Sequence, residues 1–147
     1  MSTLEELDVR DCERLLRSGV FGRVVLVADG RLEIVPVNYT THGDAVWVRT
    51  RPGSLLDRCA DGAPVLLEVD HVDHDRARGW SVVARGHGER VRDCERTGSE
   101  RRRSGPPRWV RREDEAWLQL RWEELTGRRT GSGWDLTAGL PVNRIAR

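Results

Sequence analysis

The sequence contains no lysine, so all 25 of its basic residues are arginines. They are balanced by 24 acidic residues, which leaves a net charge of +1. With so small an imbalance, no field of the whole protein draws it toward nucleic acid or anionic lipid. Any anion-binding site must therefore be local, and its cation is a guanidinium, which offers a planar fork of donors.

Paired cysteines are also lacking. Cys12, Cys59 and Cys94 are odd in number and far apart, without Cys-x-x-Cys spacing. This pattern indicates neither a disulfide framework nor a cysteine zinc site. We expect buried or idle thiols.

Long apolar stretches are missing as well. No apolar run approaches the roughly 20 residues that cross a bilayer, and the N-terminus has no basic-then-apolar signal pattern. We therefore expect a cytoplasmic protein. The length of 147 residues and the 37% hydrophobic content fit one soluble domain with a single core.

Residues of a nucleophilic triad are not arranged in any recognisable order, and the four histidines give no acid–base assignment. The group from Asp70 to Asp75 contains two histidines and three aspartates, which could ligate a metal. Its spacing does not suit a helix, and a polar turn is needed there, so we interpret it as a solvated turn. The arginine run 101–103 lacks interleaved aromatics and is interpreted as a solvated loop.

Hydrophobic periodicity and turn residues predict a succession of strands with brief helical insertions. The predicted helices are Asp8–Ser18, which ends at Gly19, and a short one that starts at Ser54. The predicted strands are Val20–Ala28, Arg31–Thr41, Ala45–Thr50, Ala63–Val72 and Trp80–Val91, with an Asp29-Gly30 hairpin turn. A final strand is preferred over a helix within Trp109–Leu125, and residues 95–107 are expected to form a helical turn and a loop. This order favours an antiparallel barrel or sandwich over a parallel sheet.

Two details of this pattern point toward a ligand. Pro36 cannot donate to a β-ladder, so its strand should lie at an edge, be bulged or face a ligand there. Arg49 and Thr50 end a strand, and Ser54 is a predicted N-cap followed three residues later by Asp57. Backbone donors at a helix start beside an arginine could hold a phosphate, which suggests a phosphorylated cofactor. Each residue could equally be structural, with Ser54 only a cap and Asn38 only the end of a bulge.

Six short segments, taken in their order and spacing, resemble the pyridoxamine 5'-phosphate oxidase-like family of flavin-binding split barrels. The segments are Gly-Arg-Val-Val at 22–25, Val-Pro-Val-Asn-Tyr at 35–39, Arg-Thr-x-x-Gly-Ser at 49–54, Glu-Val-Asp at 68–70, Gly-Trp-Ser-Val at 79–82 and Thr-Gly-Arg-Arg at 126–129. The resemblance implies a mainly β fold, a six-stranded antiparallel split β-barrel with short helices over residues 1–126. Residues 127–147 would form a tail docked on the barrel or on a dimer partner. The family pattern also implies a homodimer with FMN or deazaflavin sites at the subunit interface.

The resemblance assigns roles to individual residues. We expect three groups of residues: a wall against the flavin ring, a phosphate-binding end, and weaker contacts from strands near the C-terminus. The wall is Val35, Pro36, Val37 and Asn38; the phosphate end is Arg49, Thr50 and Ser54; the late contacts are Trp80, Ser81 and Arg121. Many relatives carry lysine directly after the serine, where this chain has Leu55. Arg51 or Arg58 could supply the missing cation.

The expected function is an FMN-dependent or deazaflavin-dependent oxidoreductase that acts on a small molecule by hydride transfer, with the chemistry supplied by the cofactor. Two alternatives stay open. One is a non-catalytic protein that stores or senses flavin, or that binds haem. The other is a structural dimer whose cofactor site has lapsed.

Overall fold

The computed structural model describes residues 4–91 and 115–131, and all structural statements concern these residues. They form seven strands and two helices. In chain order these are β1 (Glu5–Glu6), α1 (Val9–Ser18), β2 (Phe21–Ala28), β3 (Arg31–His42), β4 (Ala45–Thr50), α2 (Leu55–Cys59), β5 (Pro64–Asp73), β6 (Arg78–Arg90) and β7 (Ala116–Thr130). Neither helix is long and apolar enough to span a membrane.

The strands form a sheet that closes on itself. Its order is β1-β7-β4-β3-β2-β5-β6, all neighbours are antiparallel, and β6 pairs again with β7. The expected mainly β split barrel is confirmed, but the count of six strands was wrong. The additional strand is the two-residue β1, which pairs with Arg128 and Arg129 on β7.

Helix α1 begins at Val9, one residue after the predicted start, and ends at Ser18 as predicted. The Asp8 carboxylate accepts a hydrogen bond from the Asp11 backbone N–H at 2.8 Å, which is an N-cap contact. Cys12, Leu15 and Leu16 are fully buried against the barrel, and burial raises the pKa of the Cys12 thiol. Gly19 follows the helix, where a Cβ would lie only 2.1 Å from the Tyr39 hydroxyl oxygen.

The β2–β3 hairpin turns at Asp29 and Gly30, which have φ angles of 53° and 74°. Two successive positive φ angles are typical of the type I′ turn that Asp-Gly favours, so this prediction is confirmed. Beyond the turn, alternate side chains of each strand enter the barrel. Val24, Leu26, Val37, Leu67 and Val82 are among the buried core residues.

Pro36 lies on an edge, as its missing N–H requires. The first part of β3, Arg31–Asn38, pairs with β2, whereas pairing of β3 with β4 begins only at Tyr39. Among the described strands, the second side of Pro36 therefore has no ladder partner.

The last strand is longer than predicted. A strand rather than a helix is confirmed, but β7 continues to Thr130 instead of ending at Leu125. Residues 127–130 thus belong to a strand and not to the expected tail, because they pair with Gly79–Val82 on β6. The helical turn and loop expected at 95–107, the arginine run 101–103, Cys94 and residues 132–147 lie outside the described residues.

Replacement of Tyr39 by phenylalanine tests how the barrel holds α1. The buried Tyr39 hydroxyl donates to the Leu16 carbonyl at 2.6 Å. We expect Tyr39→Phe to lower the free energy of unfolding by about 1 kcal/mol, because a buried hydrogen bond is lost while the ring stays. Urea unfolding at fixed protein concentration measures this change. An unaltered midpoint would show that the ring alone provides the contribution of this residue.

Candidate functional site

The outward side of β3 and β4 brings together two of the predicted site residues. Val46 and Val48 of β4 are buried in the barrel, so alternation turns Trp47 and Arg49 to the outside. Asn38 lies between the buried Val37 and Tyr39 and also faces outward. Tyr39 pairs with Val48, so Asn38 and Arg49 occupy the next positions of the two strands. They are neighbours on one surface.

Asn38 carries an unsatisfied acceptor. Its Oδ1 atom is buried and has no hydrogen-bond partner among the described residues. An unpaired buried polar atom costs about 1–3 kcal/mol, and native structures rarely leave one without a reason. This atom therefore marks a position where a ligand donor would be accommodated.

Arg49 lies between an aromatic ring and a carboxylate. Its guanidinium carbon is 4.5 Å from the centroid of the Trp117 ring, and its Nε is 3.4 Å from Oε2 of Glu115. Trp117 is the residue that pairs with Arg49 across the β4–β7 ladder. The ring fixes the plane of the guanidinium by a cation–π contact, while the carboxylate balances its charge.

Thr50 and Ser54 form a second cluster beside α2. Their hydroxyl oxygens are 2.7 Å apart, and the Ser54 hydroxyl accepts from the Asp57 backbone N–H at 3.3 Å. Asp57 in turn accepts from the Gly53 N–H at 2.7 Å. The N-cap at Ser54 is thus confirmed. Because Thr50 follows Arg49 in the strand, its side chain projects to the opposite side, toward α2.

Leu55, directly after Ser54, packs partly buried against the core. The nearest cations in sequence, Arg51 and Arg58, are both exposed. The helix start therefore uses an apolar side chain to attach α2 to the barrel.

Only part of the predicted ring wall presents side chains outward. Val37 is 6% exposed and Val35 packs against the core, so these two residues offer only backbone to the outer side. Pro36 and Asn38 point outward by alternation. The wall is thus Pro36, Asn38 and the unpaired edge of β3 beside them.

The two predicted contacts on β6 face opposite ways. Trp80 is 5% exposed and belongs to the core, on the other side of the sheet from Asn38 and Arg49. Ser81 faces outward into a groove of about 690 Å³ between β6, β7 and the segment around β1. Arg85 borders this groove and donates to the Thr126 hydroxyl at 2.9 Å.

Arg121 is separated from Arg49 along the strands. Arg121 pairs with Ala45 and Arg49 with Trp117, four positions apart on each strand, or roughly 13 Å. The Arg121 guanidinium forms an ion pair with Asp44, and this hydrogen bond holds the pKa of that carboxyl below its usual range. The structure thus does not bring Arg121 to the Asn38–Arg49 surface.

Sequence reasoning missed Glu115 and Trp117. Trp117 lies in the segment Trp109–Leu125, for which only a strand was predicted, and Glu115 lies directly before β7. Their relation to Arg49 follows from the pairing of β4 with β7, whose partners are more than 65 residues apart in sequence. Local periodicity carries no signal for that register.

The polar segment from Asp70 to Asp75 is a turn only in part, because Asp70–Asp73 belong to β5 and only His74 and Asp75 lie in the turn. Residues 74–77 join β5 to β6. The Asp73 carboxylate accepts from the Arg76 backbone N–H at 3.1 Å and from Arg78 Nε at 3.2 Å. Asp73 therefore has a structural role in closing this hairpin.

An exposed apolar patch adjoins the Asn38–Arg49 surface. Val27, Leu32 and Ile34 are 57%, 79% and 60% exposed and lie on the outward side of β2 and β3. Next to them, Arg23 forms ion pairs with Glu68 at 2.9 Å and Asp70 at 3.3 Å, and burial raises the pKa of Glu68. Contiguous exposed apolar residues with a polar rim are typical of an interaction surface.

Comparison with known proteins identifies the relatives of this chain. The family model described as pyridoxamine 5'-phosphate oxidase matches residues 8–129. An uncharacterized protein from Mycobacterium tuberculosis is 34% identical over 127 residues, which cover 83% of this chain and 82% of the relative. The solved structure of the FAD binding protein from Mycobacterium smegmatis is 31% identical, with a TM-score of 0.70, and the match covers 85% of this chain and 98% of that one.

Ser54 offers a test of the local structure at the phosphate end. We expect Ser54→Ala to lower the free energy of unfolding by about 1 kcal/mol, because α2 loses its N-cap acceptor. Ser54→Asn, which keeps a good capping side chain, should retain most of that stability. Urea unfolding of both variants makes the comparison. Equal losses would show that the Thr50 hydroxyl contact, rather than capping, is the important role of Ser54.

Proposed function

Because the chain belongs to the pyridoxamine 5'-phosphate oxidase family, we propose that it binds a flavin nucleotide on the outward side of β3 and β4. The observation that carries this proposal is the buried Oδ1 of Asn38, which has no partner among the described residues. An oxidised flavin ring has one N–H donor, in its pyrimidine portion, and Asn38 offers an acceptor for such a group. The related Mycobacterium smegmatis protein, which is 31% identical, is an FAD binding protein.

Arg49 is the proposed phosphate ligand. FMN, FAD and the deazaflavin coenzyme all carry a phosphate after the ribityl chain, so all three present the same group to a guanidinium. The Trp117 ring holds the plane of Arg49, which favours the planar, two-donor contact that phosphate accepts well. Thr50 and Ser54, whose hydroxyls contact each other on the α2 side of β4, are not part of the proposed phosphate contact.

The proposed activity is oxidoreduction of a small molecule, with hydride transfer supplied by the bound flavin. The chain positions the flavin ring and excludes water from it. Pro36 and the edge of β3 form a wall against the ring, and Asn38 fixes one orientation of the ring. The described site holds no histidine beside Asn38 or Arg49 on β3 and β4 apart from His42 at the far end of β3. A protein that binds flavin without turnover is therefore the second candidate, and Leu55 favours it because one phosphate-binding cation is absent.

A homodimer is proposed as the form that completes the site. The patch of Val27, Leu32 and Ile34 adjoins Pro36, so a second copy packed there would also cover the ring wall. Ser81 lies on β6, away from Asn38, and reaches a flavin only if a second copy brings it there. The expected cofactor site is thus shared between subunits.

Absorbance and mass spectrometry of the purified protein test the proposed function. We expect a copurifying flavin, or binding of added FMN, FAD or deazaflavin at tens of micromolar with a raised melting temperature. A colourless protein whose melting temperature none of these ligands changes would refute it. Reduction of the bound flavin by NADPH, NADH or a reduced deazaflavin would favour the enzyme, and failure of all three donors would favour the non-catalytic candidate.

The phosphate assignment is tested by a matched pair of arginines. We expect Arg49→Gln to weaken FMN binding by roughly tenfold, because the phosphate would then face the Glu115 carboxylate without the guanidinium that balances its charge. Arg121→Gln should change it less than twofold, because that side chain is exposed and paired with Asp44. Titration of FMN fluorescence gives both constants. Equal effects would place the phosphate elsewhere.

A further inference from the structure

We propose that Glu115 sets the phosphate affinity of this site, because its carboxylate occupies Arg49 as an internal anion that a flavin phosphate must displace. The inference rests on the proposed function. It makes Glu115 a specificity-determining residue, because it disfavours ligands whose binding depends mainly on phosphate relative to ligands that bind mainly through the ring.

The Arg49–Glu115 pair differs from the surface ion pairs of this protein. Its side chains are 14% and 15% exposed, whereas those of Arg121 and Asp44 are 59% and 61% exposed. Exposed pairs contribute little because water screens them. A shielded pair interacts more strongly, so Glu115 is a serious competitor for any anion that approaches Arg49.

The geometry gives the Arg49 guanidinium little room to contact both the Glu115 carboxylate and a ligand phosphate. Trp117 lies against the guanidinium at 4.5 Å, and Glu115 precedes Trp117 by two residues on the same side of the chain. The carboxylate reaches the Nε edge of the guanidinium at 3.4 Å. A phosphate that takes this edge meets a like charge, and it must either expel the carboxylate or bind beside it.

The charge of the site makes this competition decisive. Glu115 lies against the guanidinium that would hold the phosphate, the chain has no lysine, and the half-buried Leu55 follows Ser54. Phosphate therefore adds little to affinity while the Glu115 carboxylate stays against Arg49. Binding of riboflavin, which has the ring but no phosphate, should approach that of FMN.

Replacement of Glu115 by glutamine isolates the carboxylate charge. We expect Glu115→Gln to tighten FMN binding by roughly tenfold and to leave riboflavin within about twofold. Glu13→Gln is the matched control, since Glu13 lies on α1 and pairs with Arg17 at 2.5 Å, so both ligands should bind as before. Adding Arg49→Gln to Glu115→Gln should abolish the gain. Unchanged or weaker FMN binding by Glu115→Gln would overturn the inference and show that the carboxylate orients Arg49 for its ligand.

Inorganic phosphate tests the same point without flavin. At matched ionic strength, about 10 mM phosphate should raise the melting temperature of Glu115→Gln more than that of the natural protein, because an anion then approaches Arg49 without displacing the Glu115 carboxylate. Glu115→Ala provides a second variant with the same expected sign. If neither protein binds any flavin, the proposed function fails, while the phosphate comparison still decides the role of Glu115. Equal responses to phosphate in all three proteins would refute that role.

Discussion

Strand β7 is the element that closes the barrel and completes the candidate site. Its first six residues pair with β4, and residues from Leu118 onward pair with β6, so one strand joins the two ends of the sheet. Close approach is required at this seam. A Cβ on Gly86 would lie 2.0 Å from the Arg121 carbonyl oxygen, and one on Gly88 would lie 2.2 Å from the Ala60 carbonyl oxygen. The pairing of β7 with β4 also brings Trp117 and Glu115 to Arg49. The position of β7 therefore both closes the barrel and sets the charges around Arg49.

Because side chains alternate strictly along the strands, the predicted site residues are divided between the inside and the outside of the barrel. Val46 and Val48 are fixed inside by the core, which turns Arg49 outward and Thr50 back toward α2. The same constraint buries Trp80 and exposes Ser81 on β6. Residues adjacent in a sequence motif therefore do not share one surface, and a motif-based list of contacts mixes side chains that line the site with others that support the barrel.

Local chemistry made much of the fold predictable. The Ser54 cap, the Asp29-Gly30 turn and the edge position of Pro36 were each read from residues within a few positions, and the structure has all three. The end of β7 and the surroundings of Arg49 were not predictable in this way. They depend on pairing between strands more than 40 residues apart, and a one-residue change of register would turn every side chain to the other side.

The Asn38–Arg49 surface combines two features with opposite consequences for a flavin. The buried Asn38 oxygen has no donor among residues 4–91 and 115–131, so a ligand ring that supplies one would remove an energetic cost at this site. The Arg49 guanidinium has a carboxylate at 3.4 Å, so a ligand phosphate must replace an existing contact. On the proposed assignment, the ring therefore contributes more to flavin affinity than the phosphate does.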